Sequence, residues 1–170
     1  MIVGNPQRFA IDAEPEDPVD GWIFGRFRFW LGATPVGNWD DAADLLGCVK
    51  WLEDFTSNPR NRLEPRLEGL SATELIRILY DDYMTLPYQP GVDACDIPDI
   101  FSRFHISRLG MSSFDAVDLL LVSTSDGHDR CVWRNARNGE IGEYQLQRGE
   151  MEAVAAEFCQ KFRALLRLDG

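Results

Sequence analysis

The sequence predicts an α+β domain: a mainly antiparallel sheet with a C-terminal three-stranded meander, packed by about three helices. Three observations predict it. Residues 22–31 alternate between two faces, Asp126-Gly127 and Asn138-Gly139 separate three apolar runs as hairpin turns do, and residues 151–166 repeat apolar side chains at helical spacing. With 170 residues and 45% hydrophobic composition, the chain can bury one substantial core, so residues 1–170 are expected to form a single domain.

The expected element order is β-β-α-α-β-β-β-β-α. Phe9, Ile11 and Ala13 alternate as a half-buried strand should, and Pro15 and Pro18 break the pattern. In the second strand Ile23, Gly25, Phe27, Phe29 and Leu31 form an apolar face for the core. The opposite face reads Trp22, Phe24, Arg26, Arg28, Trp30, aromatic at both ends and cationic in the middle. Gly32, Pro35 and Gly37 mark a turn, after which Asn38 or Asp40 can cap a helix carrying Leu45, Cys48, Val49, Leu52 and Phe55, ended by Asn58-Pro59. Ser71 and Glu74 make a capping box that opens a helix through Leu75, Ile76, Leu79 and Tyr80 to about Tyr83. The stretch from Met84 to Pro98 holds four breakers, Pro87, Pro90, Gly91 and Pro98, and has no periodicity. A short strand is expected around Phe104 and Ile106.

Two-residue turns at the Asp-Gly and Asn-Gly dipeptides would set the meander's register. Leu120 then faces Trp133, Val122 faces Cys131, Trp133 faces Tyr144, and Cys131 faces Leu146, all on one side of the sheet. The other side would pair Arg134 with Glu143. The last helix, starting near Gly149, should lay Met151, Val154, Ala155, Phe158, Cys159, Phe162, Leu165 and Leu166 on the Leu120, Trp133, Tyr144 face.

Composition narrows the function. The formal net charge is -11, with 28 acidic against 17 basic residues, which argues against general nucleic-acid binding because phosphate contacts need clustered cations. The sign suits a basic partner or simple solubility equally well. No apolar run reaches the roughly 20 residues of a membrane span, and Gly4-Asn5-Pro6-Gln7-Arg8 interrupts any signal-peptide core, so a cytoplasmic location is expected. Cys48, Cys95, Cys131 and Cys159 lack C-x-x-C spacing and read as small buried hydrophobes of a reducing compartment. His105 reads as a partly buried, hydrogen-bonded side chain and His128 as exposed. Neither has the convergent neighbours of a zinc site. Nucleophile elbows and glycine-rich phosphate cradles are missing from the sequence. No catalytic, cofactor or metal residues are expected.

One block speaks to function directly. Ile2-Val3-Gly4-Asn5-Pro6, then Phe9-Ala10-Ile11, then Gly25-Arg26-Phe27-Arg28-Phe29-Trp30 resembles the opening of immunity protein family 42, small proteins of bacterial polymorphic-toxin systems. The likeness is close over about the first forty residues and follows only element order beyond them. It implies a protein that binds and neutralises a cognate toxin, encoded by a neighbouring gene, without being an enzyme. A cationic nuclease is the natural target for an acidic inhibitor.

Two acidic stretches could meet such a toxin. Asp12, Glu14, Glu16, Asp17 and Asp20 lie between the first two strands and read as a solvated loop. Asp81, Asp82, Asp93, Asp96 and Asp99 are interleaved with Tyr83 and Tyr88, which puts rigid aromatic area beside negative charge; these seven residues are the expected toxin interface. The competing reading is a small acidic hydrolase or a domain binding a planar anion among Trp22, Trp30 and Arg28.

Overall fold

Two antiparallel sheets share one core. The computed structural model describes residues 1–57, 61–82, 97, 99–106 and 112–168. The first sheet runs β1 (Ile2–Gly4), β2 (Phe9–Pro15), β3 (Phe24–Leu31) and β4 (Thr34–Val36), with β5 (Ala43–Asp44) also pairing with β3. The second is the predicted meander, β6 (Val117–Ser123), β7 (His128–Asn135) and β8 (Ile141–Gln147). Strands β1, β4 and β5 are too short for a two-residue period to reveal, and sequence reading missed them.

Phe9, Ile11 and Ala13 of β2 and Phe27, Phe29 and Leu31 of β3 are fully buried on one face of the first sheet. Two helices contribute to the core beneath it. Helix α1 (Leu45–Ser57) buries the five residues its spacing predicts, Leu45, Cys48, Val49, Leu52 and Phe55. Its first turn is capped by Asp44, whose Oδ1 accepts from the Leu46 amide at 3.1 Å, and not by Asn38 or Asp40. Asn38 instead shapes the turn before it, bonding Asp41 through its amide at 2.7 Å. The last helix, α4 (Glu150–Leu168), crosses α1, where the Arg163 guanidinium donates to Glu53 at 2.6 Å and the Cys159 thiol to the Val49 carbonyl at 3.6 Å.

The meander keeps its predicted strands but not its register. Leu119 faces Trp133 and Leu121 faces Cys131, while Trp133 faces Gly142 and Cys131 faces Tyr144. The reason lies in the turns. Thr124 pairs with His128 and Asn135 with Glu140 through backbone bonds of 2.9 Å each, leaving three and four residues in the loops. In each loop only the glycine, Gly127 or Gly139, has positive φ. The one-residue slip in β6 sends Leu119 and Leu121 into the core with α4, and sends Leu120 and Val122 to the other face. The two-residue shift in β8 preserves the side that each residue takes.

That other face has its own cover. Leu120, Val122 and Val132 pack with Leu75, Ile76 and Leu79 of the segment formed by α2 (Ala72–Ile76) and its π-helical continuation Arg77–Asp81, and with α3 (Ile100–Phe104). The capping box at α2 is present as read, with Ser71 and Glu74 bonded reciprocally. The strand expected around Phe104 and Ile106 is instead the end of α3. The His105 amide closes that helix on the Phe101 carbonyl at 3.2 Å, and the chain then meets β6 in a single bridge from His105 to Leu120, with the Ile106 amide bonded to the Leu119 carbonyl at 2.9 Å. Helix α4 shares its core with Trp133 and Tyr144 as expected but not with Leu120, which the register turns to the opposite face. Its Phe158 ring also meets Phe27 of the first sheet edge to face at 5.9 Å. The ends expected at Asn58-Pro59 and Tyr83 lie outside the described residues, as does Cys95.

Candidate functional site

The described members of the acidic stretch beyond α2 are tied into the fold to different degrees. Asp81 holds Arg134 of β7 through two bonds of 2.8 and 3.0 Å, and the same guanidinium donates to the buried Asp118 at 2.7 Å. These partners push the arginine's affinity for its proton further up, with the Asp81 hydrogen bonds leading. Glu143, expected opposite Arg134, bonds Arg130 at 2.6 Å instead, as the shifted register requires. Asp82 pairs with Arg77 at 2.6 Å. Asp99 is exposed, adopts a left-handed backbone with φ of 54°, and precedes α3 without capping it through its side chain. Tyr83, Tyr88, Asp93 and Asp96 lie outside the described residues. The structure therefore places Asp81 and Asp82 beside their own cations and Asp99 at the surface.

The outer face of the first sheet carries a second polar surface. Arg28 of β3 lies between two indoles, 4.5 Å from the Trp30 ring and 4.2 Å from that of Trp39, and donates to Asp12 of β2 at 3.0 Å. Trp30 also donates to Asp12 at 3.2 Å, so this carboxylate is buried by the ladder and is not loop solvation. Trp22 stands apart from this group, stacked on Phe24 at 6.1 Å with 15° between the rings. A planar anion held jointly by Trp22, Trp30 and Arg28 would have to displace Asp12 and one indole. The geometry does not favour that reading.

Sequence reading placed a hairpin connection between β2 and β3 but missed the tight turn at its tip. Val19 and Trp22 exchange backbone bonds of 2.9 and 2.8 Å around Asp20 and Gly21, both with positive φ. This is the mirror-image two-residue turn for which Asp-Gly is well suited. The signal was present in the sequence, but Pro15 and Pro18 a few residues earlier made the region read as a loop. Val19, Trp22 and Phe24 are large apolar residues that the fold leaves exposed there.

A cleft of about 270 Å³ opens between the sheets, lined by the Thr34–Asn38 segment, Ser113, Val117, Trp133, Asn135, Arg137 and Glu140. Its polar groups are partly engaged locally: Asn38 bonds Asp41, and Asn135 accepts from the Arg137 amide at 2.9 Å. His105 is buried, its Nε2 2.6 Å from the Leu79 carbonyl and its ring between Tyr80 and Phe101. His128 is half-buried rather than exposed, 3.1 Å from Asp126 and 3.0 Å from Gln147. Burial pushes the Cys159 thiol up to about 11 and raises those of Cys48 and Cys131 further, so all three are protonated at neutral pH and poor nucleophiles. Among the described residues no three His, Cys, Asp or Glu side chains are grouped to hold a metal ion, and no helix is long and apolar enough to cross a membrane.

Comparison with known proteins places this arrangement. The family described as Immunity protein 42 matches residues 1–161. Among solved structures, that of CdiI from Burkholderia dolosa AUO158 superposes with a TM-score of 0.72 at 20% identity, covering 95% of this chain and 99% of the other. At that identity the likeness is one of fold. No curated protein matches the sequence.

Proposed function

The chain belongs to the immunity protein 42 family, and on that premise we propose that it binds a cognate toxin domain stoichiometrically and neutralises it without chemistry of its own. The observation that carries this reading is the family match across residues 1–161, nearly the whole sequence. The resemblance noted in the first forty residues thus extends over the length of the chain. Residues 1–170 act as one domain in the cytoplasm, and the toxin is the product of an adjacent gene. A net charge of -11 favours a basic toxin, a nuclease among the candidates, because opposite charge speeds encounter and rejects acidic partners.

The proposed contact surface includes Asp82, Tyr83, Tyr88, Asp93, Asp96 and Asp99. Asp81 belongs to the same surface while anchoring Arg134. What supports this assignment is composition: tyrosines give stiff contact area, and carboxylates around them set the sign of the partner.

The test is survival. Cells expressing the adjacent gene's toxin domain should die without this chain and live with it, and the two purified proteins should elute as a one-to-one complex. Equal killing in both strains ends the proposal. Alanine at Tyr88, Asp93 and Asp96 together should weaken the complex, and an unchanged dissociation constant would remove that surface from the interface.

A further inference from the structure

The hairpin between β2 and β3 ends in a surface that the fold leaves open. Val19, Trp22 and Phe24 expose 60%, 54% and 41% of their area. Fully burying large apolar side chains is favourable by about 1.5–3 kcal/mol each, and here roughly half of that area stays uncovered after folding. The tip is also rigid. Its turn closes on two backbone bonds with both central residues left-handed, the Glu16 amide bonds the Phe24 carbonyl at 2.9 Å, and the two rings are already stacked. Rigid, preordered aromatics lose little conformational entropy on contact, which is how binding anchors behave.

The surroundings fix the sign of the partner. Glu14, Glu16, Asp17 and Asp20 are all exposed around the tip, and the neighbouring cation, Arg26, is 3.7 Å from Glu14. A second copy of this chain is a poor occupant, since a symmetric contact would set the same acids against one another in a molecule already at -11. We infer that the β2–β3 hairpin tip grips a cationic face of the cognate toxin, with Trp22 and Phe24 as buried anchors, Val19 beside them, and the four carboxylates as the charged rim. This rests on the toxin-binding reading and adds the hairpin tip to it as a contact surface.

The experiment titrates full-length protein against the adjacent gene's toxin domain, carrying an inactivating substitution, by calorimetry and by stopped-flow association at two salt concentrations. The double variant W22A/F24A should weaken binding about 100-fold while its unfolding midpoint stays near that of the wild type. The triple variant E16Q/D17N/D20N should slow association several-fold and flatten its salt dependence, with dissociation little changed. If the double variant folds poorly, V19S alone tests the same surface through a smaller loss of affinity. Wild-type binding that W22A/F24A leaves within threefold overturns the hairpin assignment and leaves toxin neutralisation standing. Failure of the wild type to bind overturns both. Sedimentation showing a dimer that W22A/F24A abolishes, beside unchanged toxin affinity, assigns the tip to self-association and overturns the assignment as well.

Discussion

The two sheets solve burial differently. The first leaves one face of β3 largely open: β3 alternates Phe24, Arg26, Arg28 and Trp30 outward with Gly25, Phe27, Phe29 and Leu31 inward, and its outer residues are exposed or half-buried. The second is covered on both, Leu119 and Leu121 by the main core and Leu120 and Val122 by α2 and α3. A one-faced sheet advertises its orientation in its sequence, because water and core select alternate positions. A two-faced strand such as Leu119-Leu120-Leu121-Val122 does not, and its register passes to the turns and to whatever packs outside.

Substitutions can break this comparison. The largest effect is expected inside the main core, where Phe27→Ala and Phe162→Ala should each cost about 3–5 kcal/mol in chemical denaturation. Phe24→Ala, three residues from Phe27 on the opposite face, should stay within about 0.5 kcal/mol. Comparable losses at positions 24 and 27 would show that the outer face is covered after all.

In the second sheet, adjacent positions should behave alike. Leu120→Ala and Leu121→Ala should each cost about 2–5 kcal/mol, since both are fully buried on opposite faces. One large and one negligible value would return the sheet to a one-faced design. A smaller effect tests the register. A Cβ on Gly142 would lie 2.2 Å from the Trp133 ring, its directly paired neighbour, so Gly142→Ala should destabilise by about 1–3 kcal/mol. In the predicted register, with Tyr144 opposite Trp133, it would be nearly silent.

The smallest effect is electrostatic and lies where α4 meets the first sheet. The Arg8 guanidinium bonds Glu150 at 2.6 and 2.9 Å and holds that carboxyl below the usual glutamate range. A depressed carboxylate stabilises the fold above its unfolded value and loses that contribution as pH falls through its folded one. Melting temperature should therefore fall on acidification below the ordinary glutamate range. The fall should be shallower in Glu150→Gln, and an identical slope would remove this pair from the acid limb.

The Asp-Gly dipeptides at 20–21 and 126–127 show how far local reading reaches. Asp20-Gly21 forms the two-residue mirror turn, whereas Asp126-Gly127 lies in a three-residue loop. Long-range partners explain the second: the Ser125 amide and hydroxyl both donate to Glu68, and Arg148 donates to the Thr124 carbonyl. Such contacts, 24 to 57 residues away in sequence, have no local signature. The Arg134 pairing moved with the other loop, where the Ala136 amide bonds the Ala116 carbonyl at 2.8 Å and β8 is displaced so that Glu143 bonds Arg130.

What the sequence determined by itself is what periodicity and strong local chemistry determine: the buried face of β3, the stripes of α1 and, apart from Leu165, which stays exposed, of α4, the Ser71–Glu74 box, the three meander strands and the N-terminal block that carries the family resemblance. Tertiary structure decided the rest. It chose which face of β6 meets α4, made the segment before His105 a helix, set Asp12 beneath Arg28, and left Trp22 and Phe24 uncovered. These outcomes depend on which surfaces remain after the nearest elements have packed. An apolar residue can be identified from the chain, but whether anything covers it depends on partners that only the folded arrangement brings close.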